Sequence, residues 1–225
     1  MIILERTSSE KARAYAIRVL LYNIIHLELP PGSAVSENEL SEALSLSRTP
    51  VREALIELNR TRLVEIFPQK GSYITKIDYD LVEECRFIRL AMENAVLHLV
   101  CQGIPDTYAE ALSQNIEEQR QAEAEKKQDK LFELDNHFHR LIFESVNKVW
   151  SYQIITEQMF HFDRLRALSF KSDYENYTVR DHEDIFYAIT RHDSEMAQML
   201  MSRHLNRHRL KKSELLERYP EYFVA

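Results

Sequence analysis

The sequence predicts a mostly α-helical chain in two parts: three helices followed by a β-hairpin, then an all-α helical bundle. Three observations carry this. Apolar residues recur at helical spacing up to residue 60 and again beyond residue 80, but with a period near two between residues 63 and 77. Glycine occurs only three times in 225 residues, which suits helices, where Gly costs ~1 kcal/mol relative to Ala. That scarcity also argues against glycine-rich nucleotide cradles and glycine-punctuated β-barrels. The length fits one large domain or two modest ones, each able to bury a core.

Thr7-Ser8-Ser9-Glu10 has the form of a capping box and predicts the start of the first helix, with Ile17, Leu20, Leu21 and Ile24 on one face. Pro30-Pro31-Gly32 stops it. Ser36-Glu37-Asn38-Glu39 offers a second capping box, opening a short helix with Leu40, Ala43 and Leu44 inward. After a tight connection from Ser45, Thr49 as N-cap and Pro50 at the first helical position open a third helix. It runs through Val51, Leu55 and Leu58 to about Arg60. Leu63 to Phe67 reads as a strand, Pro68-Gln69-Lys70-Gly71 as a turn and Ser72 to Ile77 as the returning strand. Three helices and then a hairpin is the order of a winged helix-turn-helix, assigned to residues 1–77.

Residues 78–225 carry no convincing strand and are read as an all-helical domain of about six helices. Asp80-Leu81-Val82-Glu83 can cap a long helix bearing Leu81, Val82, Ile88, Met92, Ala95, Val96 and Leu99, which Gly103 and Pro105 end. Further helices are expected over 106–127, 129–146, 148–168, 180–191 and 193–217, with the longest loop at 169–179. Cys85 and Cys101 form no Cys-x-x-Cys pair, and the start MIILERTSSE lacks a signal-peptide pattern. A reduced, cytoplasmic protein is therefore expected. No apolar run reaches the ~20 residues of a membrane helix, so no membrane partner is expected.

The formal net charge is −7, which taken globally discourages a nucleic-acid partner. The charge is unevenly spread, however. Residues 1–77 carry ten Lys/Arg against nine Asp/Glu, and residues 43–77 hold six against three. Within that basic stretch Arg48 and Thr49 fall at the N-terminus of the third helix, with Arg52 about one turn on along the same side. A helix-turn-helix presents this helix end to the DNA major groove. Arginine bonds guanine O6 and N7 bidentately, worth ~1–3 kcal/mol of discrimination. The threonine hydroxyl and the free N–H groups suit a phosphate. Lys70 and Gly71, at the hairpin tip, suit close approach to the backbone or minor groove.

Eight of the nine histidines lie beyond residue 77. Asp135 and His139 are four apart on the face that carries Leu131, Phe138 and Ile142, so both point inward, whereas His137 points out. His182 precedes Ile185, Phe186 and Ile189 at helical spacing, and His204 follows Ala197, Leu200 and Met201, again inward. One carboxylate and three imidazoles on apolar faces are costly unless paired or metal-bound. Together they form a donor set for zinc, nickel or another divalent first-row ion, built from facing helices. Taken singly, each has a plainer reading as a hydrogen-bonded core residue, and Asp135 as the partner of an arginine. His208, one turn beyond His204, is a weaker candidate because the neighbouring RHRLKK run reads as a turn facing solvent or a partner.

SRTPVREAL, followed by LVEIFPQKGSYI, resembles the N-terminal domain of GntR-type transcriptional regulators. Asp135-Asn136-His137-Phe138-His139, Asp181-His182-Glu183-Asp184-Ile185 and Ser202-Arg203-His204-Leu205 resemble three motifs of the FadR-subfamily C-terminal ligand-binding (FCD) domain in its metal-binding form. The two resemblances span roughly residues 8–215. They imply a homodimeric repressor or activator on an inverted repeat of double-stranded operator DNA, contacted by Arg48, Thr49 and Arg52, with Gly71 as the wing-tip glycine. They also imply a divalent metal on Asp135, His139, His182 and His204, a small organic-acid effector, and Arg89 near the effector pocket. The plainer reading of Arg89 pairs it with Glu93, four residues on. Two departures stand out. Asn38 replaces an arginine found in many members, and Arg62 replaces their usual glycine before the first wing strand.

No residue is assigned a catalytic role. The enzyme-class alternative is a metal-dependent hydrolase, for which Glu144 or His161 would have to serve as general base. A purely structural metal is the third reading. Effector selectivity would depend on which of Phe138, Met159, Phe162, Phe186 and Tyr187 line the cavity.

Overall fold

The computed structural model describes residues 1–171 and 177–224. The N-terminal part has three helices, α1 (Ala12–Ile25), α2 (Glu37–Leu44) and α3 (Arg48–Arg60). Strands β1 (Ala34–Val35), β2 (Val64–Phe67) and β3 (Gly71–Ile74) form an antiparallel sheet in the order β1-β3-β2. Helix α3 buries Val51, Ala54, Leu55 and Leu58, a helical stripe that packs with Val19, Leu20 and Ile24 of α1. The hairpin between β2 and β3 turns through left-handed residues, Gln69 at φ 63° and Gly71 at φ 104°.

The remainder is helical: α4 (Tyr79–Val100), α5 (Asp106–Ala124), α6 (Gln128–Ser145), α7 (Val149–Thr156), α8 (Phe160–Lys171), α9 (Thr178–Thr190), α10 (Ser194–Leu205) and α11 (Arg207–Arg218). A short 3₁₀ turn, Pro220–Tyr222, follows, and Phe223 bridges back in parallel to Ile77. A second core of Val96, Leu97, Phe138, Ile142, Leu165, Ile185 and Met201, among others, fills this bundle. No described helix is long and apolar enough to cross a membrane.

Several local expectations are corrected. Helix α1 starts at Ala12 rather than at the Thr7 box, because Glu10 is drawn to the Arg18 guanidinium, whose Nε and Nη2 each donate to one of its carboxylate oxygens at 2.8 Å. Residues 1–11 instead run back along α1, held where Ile2 N–H donates to Asn23 Oδ1 at 2.6 Å. Helix α3 begins two residues early, with Ser47 as N-cap and Pro50 in its third position. Strand β1 was not foreseen, since two residues are too few to show a period. The single helices expected over 148–168 and 193–217 are each broken. Residues 157–159 separate α7 from α8, and Asn206 separates α10 from α11, its side chain bonding back to Ser202 O at 2.7 Å. Of the loop expected at 169–179, residues 169–171 belong to α8 and 178–179 to α9, while residues 172–176 lie outside the described residues.

The inward face of α4 is also shifted. Ile88 and Ala95 are exposed, while Arg89 and Glu93 share the buried stripe with Val82, Val96, Leu97 and Val100. A charged pair on a core face hides the stripe from any reading that follows apolar residues alone. Asp78, not Asp80, caps this helix, accepting from the Asp80 and Leu81 N–H groups.

Candidate metal centre and DNA-reading surface

Helix α6 presents Asp135 and His139 on one face, α9 presents His182, and α10 presents His204. One ligand atom from each lies within 4.8 Å of the others. The Nε2 atoms of His139 and His204 are 3.3 Å apart, and Asp135 Oδ1 is 3.7 Å from His182 Nε2 and 3.9 Å from His204 Nε2. All four side chains are buried or nearly so.

Each imidazole has an oxygen near its other nitrogen, and for His182 that oxygen accepts a hydrogen bond. His139 Nδ1 is 2.8 Å from Glu93 Oε1, His182 Nδ1 is 2.8 Å from Gln119 Oε1, and His204 Nδ1 is 3.6 Å from Asp181 Oδ2. Gln119 Oε1 thereby places the His182 proton on Nδ1 and leaves its Nε2 as a lone pair aimed at the common centre, whereas the buried Nδ1 atoms of His139 and His204 complete no hydrogen bond among the described residues. His182 Nε2 is buried there without a hydrogen-bond partner. Its ring is held flat against Phe138, with centroids 3.9 Å apart and planes at 10°. An orphaned lone pair and a carboxylate oxygen converging in a buried site fit a divalent cation.

The electrostatics agree with that donor set. Burial and the Arg89 charge hold His139 well below its ordinary pKa, and burial with the His204 ring does the same for His182. Both imidazoles are therefore neutral and able to ligate. Burial raises the pKa of Asp135, but the Arg166 charge beside it overrides this and holds its carboxyl well below the usual range. Arg166, on α8, donates to Asp135 Oδ2 and at 2.6 Å to Asp163. The arginine partner that the plainer reading of Asp135 required is therefore present, on one oxygen, and the other oxygen still faces the histidines. Arg166 and Gln119 carry no sequence signal that would assign them to the site; only the fold brings them there.

His208 does not join the four. It is buried rather than solvent-facing, with Nε2 3.1 Å from Glu83 Oε1 and Nδ1 3.0 Å from Leu205 O. A cavity of about 270 Å³ opens beside Asp135 and His204, between Phe162, Arg166, Phe170 and Arg207. Of the aromatic candidates, Phe162 lines it, Phe138 backs His182, and Tyr187 is exposed. Arg89 makes the ion pair that its plainer reading expects and also borders a cavity. It is buried with Nε 3.3 Å from Glu93 Oε1, and it lines a second cavity of about 360 Å³ with Asn136, Tyr152, Asp163 and Arg166. Glu144 pairs with Arg140, and His161 faces the β-hairpin; neither lines the cavity beside Asp135.

At the other end of the molecule, Arg48, Thr49 and Arg52 are exposed on the first turns of α3, and no described side chain pairs with either arginine. Lys70 and Gly71 are exposed at the hairpin tip, where a Cβ on Gly71 would meet nothing within 4 Å. Arg62 adopts φ 60°, so the turn before β2 does hold a side chain in a left-handed conformation.

An open cationic helix end beside a β-wing, joined to a helical bundle with a polar internal site, defines the architecture of a transcriptional regulator. Residues 15–74 match the gntR family of bacterial regulatory proteins, and residues 84–207 match the FCD domain. The chain is 36% identical to the HTH-type transcriptional repressor RspR of Escherichia coli K12, over 84% of this chain and 83% of that one. It is 27% identical to the gluconate operon transcriptional repressor of Bacillus licheniformis, over 83% and 78% of the two chains. Among solved structures, E. coli McbR/YncC superposes with a TM-score of 0.77 at 16% identity, over 93% of this chain and 99% of that one. The protein belongs to the GntR family of transcriptional regulators and carries an FCD domain. Its relatives are regulators, not enzymes.

Proposed function

We propose that the protein is a homodimeric operator-binding regulator in which residues 1–77 read an inverted repeat and residues 78–225 sense a small organic acid. Asp135, His139, His182 and His204 hold a divalent transition metal, zinc or nickel. The observation that carries this reading is the cluster of four ligand atoms within 4.8 Å, with His182 oriented through Nδ1 by Gln119 Oε1. When bound, such a cation supplies a positive charge and open positions for a carboxylate. Arg166 and Arg89 border the adjoining cavities and add guanidinium groups suited to a planar anion. Arg48 and Arg52 read base edges, while Thr49, Lys70 and Gly71 fix the backbone. Different effector affinities for two arrangements of the dimer change operator affinity.

One observation favours a second reading. Arg166 already neutralises Asp135, so the pair and its histidines form a balanced polar core without a cation. The test uses promoter fragments from the chain's own gene neighbourhood, with metal-loaded and chelator-stripped protein and a panel of organic acids. The metal reading expects operator affinity to shift with acid only for loaded protein. A shift independent of metal favours the second reading, and no operator binding at all contradicts both.

A further inference from the structure

Helix α8 has two faces with different clients. Phe162, Arg166 and Phe170, four residues apart, line the cavity beside Asp135. His161, Arg164 and Lys171 share the opposite face, and each bonds backbone of the DNA-reading part. His161 Nε2 is 3.3 Å from Arg62 O, just before β2. Arg164 donates to Thr75 O at 2.6 Å and to Lys76 O at 2.9 Å, just after β3. Lys171 donates to His26 O at 2.7 Å, where α1 ends. The same rod thus holds both roots of the wing and the end of α1.

Arg164 is the costly member of this set. It is completely buried, its Nε has no hydrogen-bond partner, and its partners are two neutral carbonyls and the His161 ring at 3.3 Å, with no carboxylate paired to it among the described residues. A buried guanidinium without a counter-charge costs stability that an apolar side chain would not. Burial pushes it down to about 9. Its geometry does supply what an apolar side chain cannot, a two-pronged grip on consecutive carbonyls.

Resting on the proposed sensing role of the bundle, we infer that α8 is the element that couples the Asp135 site to the wing, with Arg164 as the positioning residue. Asp135 is bonded to Arg166, two residues from Arg164 and about 200° around the helix. Any displacement of the Asp135 carboxylate is felt at Arg166. A helix of twelve residues moves as one body, so the wing roots move with it. The second cavity adds room for that motion. It lies between Leu21 and Ile25 of α1 and Arg89, Asp163 and Arg166 of the bundle.

The test needs no operator sequence. Zinc binding to the full chain is measured by titration calorimetry, and amide hydrogen exchange across residues 62–78 is followed with zinc and with chelator. The wild type should bind zinc and change exchange in that segment by about fivefold or more, the low end of ordinary coupling. Arg164→Met should bind zinc with unchanged affinity and lose the exchange response. Arg164→Lys, which keeps the charge but not the fork, covers the case in which the methionine variant fails to fold, and should retain a reduced response. Zinc binding with the full response preserved in the folded variants overturns the role of Arg164. Zinc binding with no response in the wild type overturns the coupling while leaving the metal site standing. No zinc binding overturns the metal reading and the inference with it.

Discussion

His139 Nδ1 lies 2.8 Å from Glu93 Oε1, and both side chains are fully buried. Burial pushes Glu93 up to about 7, against the pull of Arg89, so this carboxyl is poised between its two forms. As the orienting partner of a proposed ligand it should matter to the cation more than to the fold. Glu93→Gln should weaken zinc binding about 10–100-fold, the usual effect of losing such a partner. Competition against a chelating indicator measures this, and unchanged affinity would refute the role given to Glu93.

Arg48 and Arg52 are exposed and, among the described residues, unpaired, so their removal should leave the fold intact. Arg48→Ala and Arg52→Ala should each weaken operator binding by about 1–3 kcal/mol and relax sequence preference. Fluorescence anisotropy at moderate salt reads the affinity, and thermal melts should match wild type. Wild-type affinity in both variants would show that the α3 end is not the reader.

His161 predicts a pH dependence of stability. Burial, aided by the Arg164 charge, lowers its pKa to about 4 from an ordinary 6.5, with Arg62 O and Asp78 pulling weakly the other way. The fold favours the neutral ring, so its contribution is complete above about pH 6.5 and is lost as pH falls towards 4. The loss at the acid end is on the order of 2–3 kcal/mol. Urea midpoints at pH 7 and pH 5 should differ less for His161→Gln than for wild type. An equal acid sensitivity in the two proteins would assign it to other groups.

Arg62 occupies a left-handed backbone position at φ 60°. That conformation costs a non-glycine residue roughly 1–2 kcal/mol, partly offset because glycine gains about 0.4–1 kcal/mol of chain freedom when unfolded. Arg62→Gly should therefore stabilise modestly, by about 0.5 kcal/mol, in chemical denaturation. A clear destabilisation would mean that the Arg62 side chain contributes contacts absent from this structure.

The helices, the hairpin and the four clustered side chains were legible because each rests on a short-range pattern. Asp135 and His139 sit four apart, and His182 and His204 each lie in register with apolar neighbours, so inward direction follows from helix geometry alone. What stayed hidden was long-range. Nothing local marks Gln119 as the partner of His182, or Arg166 as that of Asp135, because those pairs span 63 and 31 residues. The buried Arg89–Glu93 pair misled in the opposite sense, since charged residues normally mark the outer face of a helix. His208 was read from its basic neighbours as outward, yet Glu83 from α4 draws it in.

The central claim is that the four-residue cluster binds a metal. Its most direct test is elemental analysis of full-length protein purified without chelator. About one divalent transition-metal ion per chain is expected, lost when His139→Ala and His182→Ala are combined. Protein free of such a metal, or a metal content that the double substitution leaves unchanged, would contradict it.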